Sequence, residues 1–400
     1  MPNPAPLPPE AHIIRSDAEA LDVARNLAER FAPGAAARDR DRLLPWQELD
    51  AFSASGLWGI TVPRAFGGAG VSMVTLAQVT AIIAAADGSL SQIPQNHFYA
   101  LEVVRSGARE PQQRMFFAKA LQGLRFGNAL AEISHRDFKR RTRLVQTPGG
   151  LVLHGQKFYC TGAIYAHWIP TLAVDDAQVQ QLVFIPRRAP GVSITDDWDG
   201  FGQRVTGSGS VNFDQVAVQP EWVVPFQASF ERPTPIGPVA QLIHAAIDLG
   251  IGQGAFAATL PFIRHRARPW LDARVATAAE DPLTLAGLGD VSVRLAAAEA
   301  LLHRAGEAVD AAIANTTETT VAEASVAVAE AKVLTTKAGL LAASKLFEFT
   351  GTSATFAPDN LDRHWRNVRT HTLHDPVRWK YHAVGNFALN GVNPPRHGAI

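Results

Sequence analysis

Residues 168–186, WIPTLAVDDAQVQQLVFIP, decide the fold of this chain. The stretch contains two apolar runs, Trp168 to Val174 and Leu182 to Ile185, separated by polar residues. Short runs that are rich in β-branched and aromatic residues are typical of strands. The stretch therefore predicts two strands of a β domain.

The same texture extends to both sides of this stretch. Further apolar runs lie at Leu151 to Leu153 and at Val211 to Val218. Glycine and proline separate the runs, as at Pro190-Gly191, which is the punctuation expected of turns in a mostly antiparallel sheet. We predict a middle antiparallel β domain.

Helical periodicity dominates before and after this β domain. A capping box begins a helix at Ser16, and Pro33-Gly34 is expected to end it. Two long patterns rich in Ala, Leu, Glu and Lys cover Asp290 to Ala312 and Glu318 to Phe349. The predicted class is α+β, mainly α. The predicted units are a disordered lead-in (1–15), an N-terminal helical domain (16–125), the β domain (126–236) and a C-terminal helical bundle (237–400).

Composition excludes several classes of protein. The 400 residues include 37 basic and 37 acidic ones, so no net field recruits nucleic acid or an anionic membrane surface. Cys160 is the only cysteine, which excludes an internal disulfide and favours the reducing cytoplasm. Charged residues or helix breakers interrupt every long apolar run, so no membrane-spanning helix is expected. The long helices favour an oligomer.

One glycine-rich stretch superficially matches a dinucleotide-binding loop. Gly250 to Gly254 follows a helical pattern rather than a strand, and its spacing is wrong for that loop. We interpret these glycines as a site of close helix packing, so no NAD-binding domain is predicted.

The order of the units, together with several motifs, resembles the acyl-CoA dehydrogenase superfamily over nearly the whole chain. The motifs with this resemblance are Gly56 to Pro63, Phe66 to Gly70, Asn128 to Glu132, Gly155 to Gly162 and Arg264 to Trp270. The segment from Leu361 to Pro376 is most similar to the monooxygenase branch typified by dibenzothiophene monooxygenase and the sulfur-acquisition oxidoreductases. Asp197-Trp198, Gly202 to Arg204 and Gln95 to Tyr99 are similar to that branch as well.

This resemblance implies a two-component flavin-dependent monooxygenase. A separate flavin reductase would supply diffusible reduced FMN, with FAD as the alternative. The reduced flavin would react with O2 through a C4a-hydroperoxide and oxygenate a small organosulfur substrate. The resemblance also implies a homotetramer.

The resemblance also assigns roles to single residues. Arg266 would hold the flavin phosphate, while Trp198 and His374 would lie against the ring. Histidine titrates near neutral pH, so His371 and His374 are the candidates for handling protons at the flavin. The remaining assignments from the resemblance are ring contacts (Asn128, Cys160 and Thr161) and a histidine that borders the substrate and is a third catalytic candidate (His97). Phe98, Ile243 and Phe256 are apolar candidates for substrate contact that could equally be core residues.

Two alternatives stay open. An FAD-dependent acyl-CoA dehydrogenase would need a carboxylate base, for which Asp375 is the candidate. Asp375-Pro376 is also the pattern of a helix N-cap followed by a first-turn proline, and we favour the cap. The second alternative is a catalytically inactive flavin-binding or assembly protein. No metal site is predicted, because His371 and His374 have only His364 as a further ligand nearby.

Overall fold

The computed structural model describes residues 11–133 and 139–400. Residues 1–10 of the predicted lead-in lie outside the described residues. Helices form both ends of the chain and a sheet lies between them, which confirms the predicted α+β, mainly α class. The boundaries of the predicted units stay predictions.

In the described residues, five α-helices precede the sheet. They are α1 (Asp17–Asp41), α2 (Trp46–Ala54), α3 (Met73–Ala86), α4 (Gly88–Gly107) and α5 (Glu110–Leu121). α1 begins as predicted, because Ser16 Oγ accepts a hydrogen bond from the backbone N–H of Glu19 at 3.2 Å. The predicted end at Pro33-Gly34 is wrong, since α1 continues through Pro33. Proline removes one helical hydrogen bond, but the burial of Phe31 and Ala35 on either side outweighs this local loss.

Within residues 11–133 and 139–400, seven strands form one sheet in the order β5-β6-β2-β1-β3-β4-β7. They are β1 (Arg143–Thr147), β2 (Gly150–Lys157), β3 (Trp168–Val174), β4 (Gln180–Pro186), β5 (Val192–Thr195), β6 (Ser210–Val218) and β7 (Val223–Pro225). Among these seven described strands, β1 and β3 pair in parallel and the other neighbours pair antiparallel as predicted. The sequence did not reveal β1, β5 and β7, which are three to five residues long.

The C-terminal helices begin directly after the sheet. They are α6 (Gln227–Phe230), α7 (Ile236–His265), α8 (Pro282–Ala314), α9 (Glu318–Thr350), α10 (Asp362–His371) and α11 (Arg378–Asn390). α8 and α9 are the two predicted long helices. α8 begins earlier than predicted because Asp281 caps it by accepting a hydrogen bond from the backbone N–H of Leu283 at 2.9 Å.

Helix α7 forms the centre of the bundle and packs against α3, α4, α8, α9 and α10. By length and composition it could cross a membrane, with a mean hydropathy of 1.3 in its most apolar window. However, 67% of that window is buried inside the protein, as in the core helix of a folded domain. The neighbouring helices, not a membrane, cover most of its apolar surface.

Glycines allow this close contact between α7 and its neighbours. A Cβ atom on Gly250 would lie 2.3 Å from the carbonyl oxygen of Ala81 on α3. A Cβ atom on Gly252 would lie 2.8 Å from the Cα atom of Gly339 on α9. The interpretation of this stretch as a site of close helix packing is therefore confirmed.

We expect Gly250→Ala to destabilise the protein by about 1–3 kcal/mol, because the backbone of α3 cannot move away from an added methyl group without loss of packing. Urea unfolding measures the change. The matched control is Gly289→Ala on α8, where a Cβ atom meets nothing within 4 Å. In this helix interior alanine should stabilise by about 0.5–1 kcal/mol. Equal effects of the two substitutions would contradict the close approach of α7 to α3.

Candidate active site

A cavity of about 1130 Å³ lies where α4, the β domain, α7 and the segment after α10 meet. Its lining combines hydrogen-bonding groups with aromatic and aliphatic side chains, as in sites for small organic ligands. The polar lining includes Gln92, Gln95, Asn96, Asn128, Thr161, Gln203, Thr206, Ser208, His244, Thr370, His371 and His374. The apolar lining includes Tyr99, Leu130, Leu172, Trp198, Phe201, Phe226, Phe230 and Leu373.

Helix α4 presents a polar face to this cavity. Gln92, Gln95, Asn96 and Tyr99 follow the i, i+3, i+4, i+7 spacing that places side chains on one side of a helix. Gln92 Oε1 and Gln95 Oε1 are buried and have no hydrogen-bond partner among the described residues. Since buried polar atoms in native proteins are normally bonded, this face is built to bind a polar ligand.

The loop between β5 and β6 supplies a further polar group of the cavity lining, Gln203. Gln203 has a positive φ of 55° and donates its backbone N–H to Asn367 Oδ1 at 2.7 Å, which fixes the loop to α10. Its Nε2 donates to the carbonyl oxygen of Gly88 at 3.1 Å. Gln203 Oε1 and Thr370 Oγ1 are both buried without a partner in the described part of the chain. These atoms extend the unpaired polar lining of the cavity.

Four residues predicted to bind the cofactor line the cavity, and three of them, Asn128, Thr161 and Trp198, belong to the β domain. Asn128 Oδ1 accepts a hydrogen bond from the backbone N–H of Leu130 at 3.1 Å, and Trp198 Nε1 donates to the carbonyl oxygen of Gln203 at 2.9 Å. Thr161 Oγ1 and Ser208 Oγ are hydrogen-bonded at 2.8 Å. These bonds fix the three side chains in place before any ligand binds.

The two C-terminal histidines also line the cavity, but not as one helical face. α10 ends at His371, and His374 follows in the turn. His371 is buried and its Nδ1 bonds Asp248 Oδ1 at 2.5 Å. The side chain of His374 is 46% exposed and its Nδ1 lies 3.0 Å from Asp375 Oδ2. The exposed ring of His374 is therefore the more accessible proton donor or acceptor.

Asp375 does not cap a helix, so the favoured interpretation of Asp375-Pro376 is wrong. α11 begins at Arg378 after Val377 and has no side-chain cap. The carboxylate of Asp375 accepts hydrogen bonds from His374 and from Gln241 Nε2, the latter at 2.9 Å. Burial raises the pKa of Asp375, but the hydrogen bond and charge of His374 outweigh it, so the pKa lies well below its ordinary value. Tertiary partners have replaced the local backbone partners that the sequence pattern predicted.

Glu132 is the other carboxylate in the described lining of the cavity. It bonds Lys157 Nζ at 2.6 Å and the backbone N–H of Arg141 at 2.8 Å. Burial raises its pKa, but the hydrogen bond from Lys157 outweighs burial and lowers it. Both lining carboxylates are thus weak bases that are already hydrogen-bonded.

His97 does not line the cavity, which corrects its assignment to the substrate and to proton handling. It is fully buried, and its Nε2 donates to the carbonyl oxygen of Trp58 at 2.8 Å. Its Nδ1 accepts from the backbone N–H of Phe126 at 3.1 Å, so both ring nitrogens are occupied. Burial lowers the pKa of His97 to about 3. This neutral ring joins the first helices to the start of the β domain.

The three apolar residues assigned to the substrate also lie elsewhere. Ile243 is in the main core, and Phe256 packs against that core. Phe98 lines a separate cavity of about 530 Å³ beside Thr61 and Glu102. An apolar residue on a helix can face either a cavity or the core, and the sequence does not distinguish the two. Here Ile243 and Phe256 face the core of the helical domains.

Arg266 lies outside the cavity of its own chain. It follows the last residue of α7, and its guanidinium forms a two-bond pair with Asp359 at 2.8 and 2.7 Å. The side chain is 47% exposed. Its assignment to the flavin phosphate stays a prediction.

Cys160 is fully buried and belongs to the core of the β domain, although Tyr159 and Thr161 on either side line the cavity. Its thiol is therefore not a ring contact, and its backbone N–H donates to the carbonyl oxygen of Gly209 at 2.8 Å. Burial raises the pKa of the thiol to about 12. Packing within the core of the β domain turns this side chain away from the cavity.

We expect Cys160 to resist thiol reagents, because reagents react with the thiolate and burial disfavours that form. At pH 8 the native protein should not react with an aromatic disulfide reagent over an hour. The same protein unfolded in guanidinium should release one equivalent of the aromatic thiolate from the reagent, since the chain has 1 cysteine. Full reaction of the native protein within minutes would contradict the burial.

Sequence reasoning missed the histidine that joins the two others. His244 lines the cavity from α7, and its ring contacts that of His374 with centroids 4.0 Å apart and planes tilted by 35°. Its Nδ1 lies 3.1 Å from His371 Nε2. The sequence contained a signal that could have identified His244. The polar residues 241, 244 and 248 lie on one face of a largely apolar helix.

His244, His374 and Asp375 together form a group that could ligate a metal ion. One ligand atom from each lies within 4.8 Å of the others. The ligand set weighed from the sequence was a different one, His364, His371 and His374. His364 is buried and does not line the cavity. That no metal is bound stays a prediction.

Comparisons with known proteins agree with this arrangement along the whole chain. The model described as "Acyl-CoA dehydrogenase, N-terminal domain" matches residues 16–123, and "Acyl-CoA dehydrogenase, C-terminal domain" matches residues 242–379. The chain is 36% identical over 385 residues to the probable FMNH2-dependent monooxygenase SfnC of Pseudomonas putida, covering 94% of this chain and 96% of that protein.

Two further relatives are similar over the same span. The chain is 36% identical over 410 residues to a dibenzothiophene monooxygenase of Rhodococcus erythropolis, covering 97% of this chain and 98% of that one. The crystal structure of TdsC from Paenibacillus sp. A11-2 with FMN and indole matches with a TM-score of 0.91 and 32% identity. That match covers 95% of this chain and 99% of TdsC.

Proposed function

Because the chain belongs to the acyl-CoA dehydrogenase family, in its branch of flavin-dependent monooxygenases, we propose that it uses reduced FMN and O2 to oxygenate a small organosulfur compound. The observation that carries the proposal is the cavity wall formed by His244, His371 and His374. A dehydrogenase would need a free carboxylate base there. Both lining carboxylates, Glu132 and Asp375, are instead hydrogen-bonded and have lowered pKa values.

The cavity fits the isoalloxazine ring of FMN. That ring has two apolar faces and an edge of carbonyl and N–H groups. Gln92, Gln95 and Gln203 offer buried amide groups with unpaired oxygens for such an edge, and Trp198 offers an aromatic surface for a face. When bound, reduced FMN supplies the electrons that activate O2.

The residues of this chain then have three tasks. The aromatic lining, including Tyr99 and Phe226, keeps water away from the reacting groups, so that oxygen goes to the substrate rather than to hydrogen peroxide. The polar lining orients the ring. His374, exposed to the cavity and bonded to Asp375, donates or accepts protons.

The phosphate group of FMN needs a cationic partner. Arg140 lines the cavity and donates to two neutral acceptors, Gln180 Oε1 at 3.0 Å and the carbonyl oxygen of Leu130 at 3.2 Å. We infer that Arg140 serves the phosphate within one chain. Arg266 serves it only if a neighbouring copy places it there.

We keep the homotetramer, the separate flavin reductase and the cytoplasmic location as predictions. Support for assembly comes from exposed apolar side chains beyond the end of α7, near Arg266. They include Trp270, Leu271, Leu283 and Leu285, which are 53–86% exposed in the single chain. Apolar surface of this extent in a folded protein is typical of an interface.

A substrate panel tests the proposal. The protein is mixed with FMN, NADH and a flavin reductase, and dibenzothiophene, a dialkyl sulfide and an alkanesulfinate are offered in turn. We expect an oxygenated product from at least one of them. The dehydrogenase alternative instead predicts that purified protein is yellow with FAD and is bleached anaerobically by an acyl-CoA. No product from any flavin would favour the inactive alternative.

A further inference from the structure

A chain of four buried side chains lies behind the histidine wall of the cavity and joins α7, α9 and α10. Lys332 Nζ donates to Asp248 Oδ2 at 2.7 Å, and Asp248 Oδ1 bonds His371 Nδ1 at 2.5 Å. His371 Nε2 bonds His244 Nδ1 at 3.1 Å. Each of the four residues is at most 3% exposed, so bulk water does not compete for these bonds.

The charges in this hydrogen-bonded series balance when each histidine is neutral and holds a single ring proton. Asp248 also accepts a hydrogen bond from Thr336 Oγ1 at 2.8 Å, so three donors serve one carboxylate. Burial raises the pKa of Asp248, but Lys332 and His371 outweigh it and lower the pKa to about 2. Burial lowers the pKa values of His371 and His244. The stable state is therefore an ammonium–carboxylate pair with two neutral rings.

This charge state fixes which ring nitrogen carries the proton on His371 and on His244. A carboxylate only accepts hydrogen bonds, so His371 must hold its proton on Nδ1 and leave Nε2 bare. The bare Nε2 of His371 can only accept, so His244 must hold its proton on Nδ1. A neutral imidazole has one proton, and Nε2 of His244 is left as a lone pair.

That lone pair belongs to a ring on the cavity wall. His244 lines the cavity, and among the described residues no hydrogen bond reaches its Nε2. The ring of His374, whose centroid lies 4.0 Å from that of His244, packs against it and restrains its orientation. An acceptor fixed in tautomer and in orientation selects for a ligand that has a matching donor.

We propose that Lys332, Asp248 and His371 are positioning residues that hold Nε2 of His244 as an obligatory hydrogen-bond acceptor, and that this acceptor makes the cavity prefer reduced FMN over oxidised FMN. The reduced isoalloxazine ring has an N–H group at N5, whereas the oxidised ring has a bare nitrogen there. Next to N5, a fixed acceptor receives a hydrogen bond from the reduced ring. The same acceptor would face the lone pair of the bare N5 in the oxidised ring, which is unfavourable. The choice of FMN as ligand rests on the proposed function.

The tautomer is tested on the protein without flavin. Protein labelled with [15N]histidine is studied by NMR at pH 7.5 with EDTA present to remove metal ions, and the His244→Phe variant assigns the ring signals. We expect a protonated Nδ1 and a bare Nε2 on His244. A protonated Nε2 or a cationic ring would overturn the proposal.

The double variant Asp248→Asn/Lys332→Met tests the role of the buried pair. It keeps the charge balance, but either the oxygen or the NH2 group of the amide can then face His371. The ring signals of His244 should therefore become those of a mixture of tautomers.

The redox preference is tested by anaerobic binding of FMN in its oxidised form and after reduction with dithionite. One hydrogen bond corresponds to roughly a three- to tenfold change in affinity. We expect His244→Phe to weaken binding of reduced FMN by about that factor and to leave binding of oxidised FMN within about twofold, with His303→Phe on exposed α8 as control. Equal weakening of both forms would overturn the proposal. If wild-type protein makes product but lacks the preference, this inference fails alone, whereas absence of product from wild type contradicts the proposed function itself.

Discussion

Replacing His374 with alanine is expected to lower the yield of oxygenated product per reduced FMN by about 100-fold or more, because a positioned acid–base group contributes roughly 10²–10⁴ in rate. His374 is exposed to the cavity, and Asp375 holds its ring at 3.0 Å. Without this ring, the oxygen consumed should appear as hydrogen peroxide. Product analysis and a peroxide assay on the same sample, with reduced FMN supplied by a reductase, measure the change.

The control for this prediction separates chemistry from binding. His303 lies exposed on α8, away from the cavity lining, and His303→Ala should retain the product yield of the wild type. Binding of reduced FMN to His374→Ala should change by no more than about tenfold, the scale of one hydrogen bond. A His374→Ala variant with wild-type product yield would show that another group handles the proton.

The second large effect concerns the buried ion pair between Lys332 and Asp248. Their side chains are 1% and 0% exposed, and Nζ lies 2.7 Å from Oδ2. Lys332→Met leaves a buried carboxylate without its cation, which should lower the free energy of unfolding by about 3–5 kcal/mol. Urea unfolding at pH 7 measures this change. An exposed pair, Asp290 with Arg294 on α8, is the control, and Arg294→Met should cost less than about 1 kcal/mol.

Two further measurements define the cause of this loss. Asp248→Asn/Lys332→Met removes both charges and should recover most of the stability. The pKa of Asp248 is lowered from 3.8 to about 2 in the folded protein, so its contribution is complete above pH 4 and disappears as the pH falls toward 2. The gap between wild type and Lys332→Met should therefore narrow over that range. A double variant as unstable as Lys332→Met would contradict the charge-based account.

The sequence predicted the architecture because its signals are local. Trp168 to Val174 became β3 with the same limits, and Glu318 to Phe349 became α9. Periodicity and β-branched runs report the environment of neighbouring residues, and both helices and strands depend on that environment. β5 and β7 lacked such signals because they are only four and three residues long.

The site was predicted less well because its contacts are distant in sequence. Asp375 matched a capping pattern, yet its carboxylate bonds Gln241 on α7, 134 residues earlier. His97 and Cys160 stand in motifs next to cavity residues, but the packing of the β domain and the first helices turns both side chains inward. Conversely, Lys332 and Asp248 are 84 residues apart, and no local sequence pattern predicts that they form an ion pair.

The polar face of α7 is the sequence signal that points to the site. Gln241, His244 and Asp248 interrupt an otherwise apolar helix, and burial of such residues requires partners. A polar face on a core helix therefore predicts either a buried network or a cavity. In this protein it predicts both, because the network of Asp248 ends at the cavity wall on His244.

Isotope labelling with ¹⁸O2 tests the central claim most directly. The wild-type protein is supplied with reduced FMN, ¹⁸O2 and the organosulfur substrate that gives product in the panel, and the product is examined by mass spectrometry. A monooxygenase transfers one atom of O2 to each new oxygen position, so we expect one ¹⁸O per oxygenation step. Product that contains only oxygen from water, or label that appears only in hydrogen peroxide, would contradict the account.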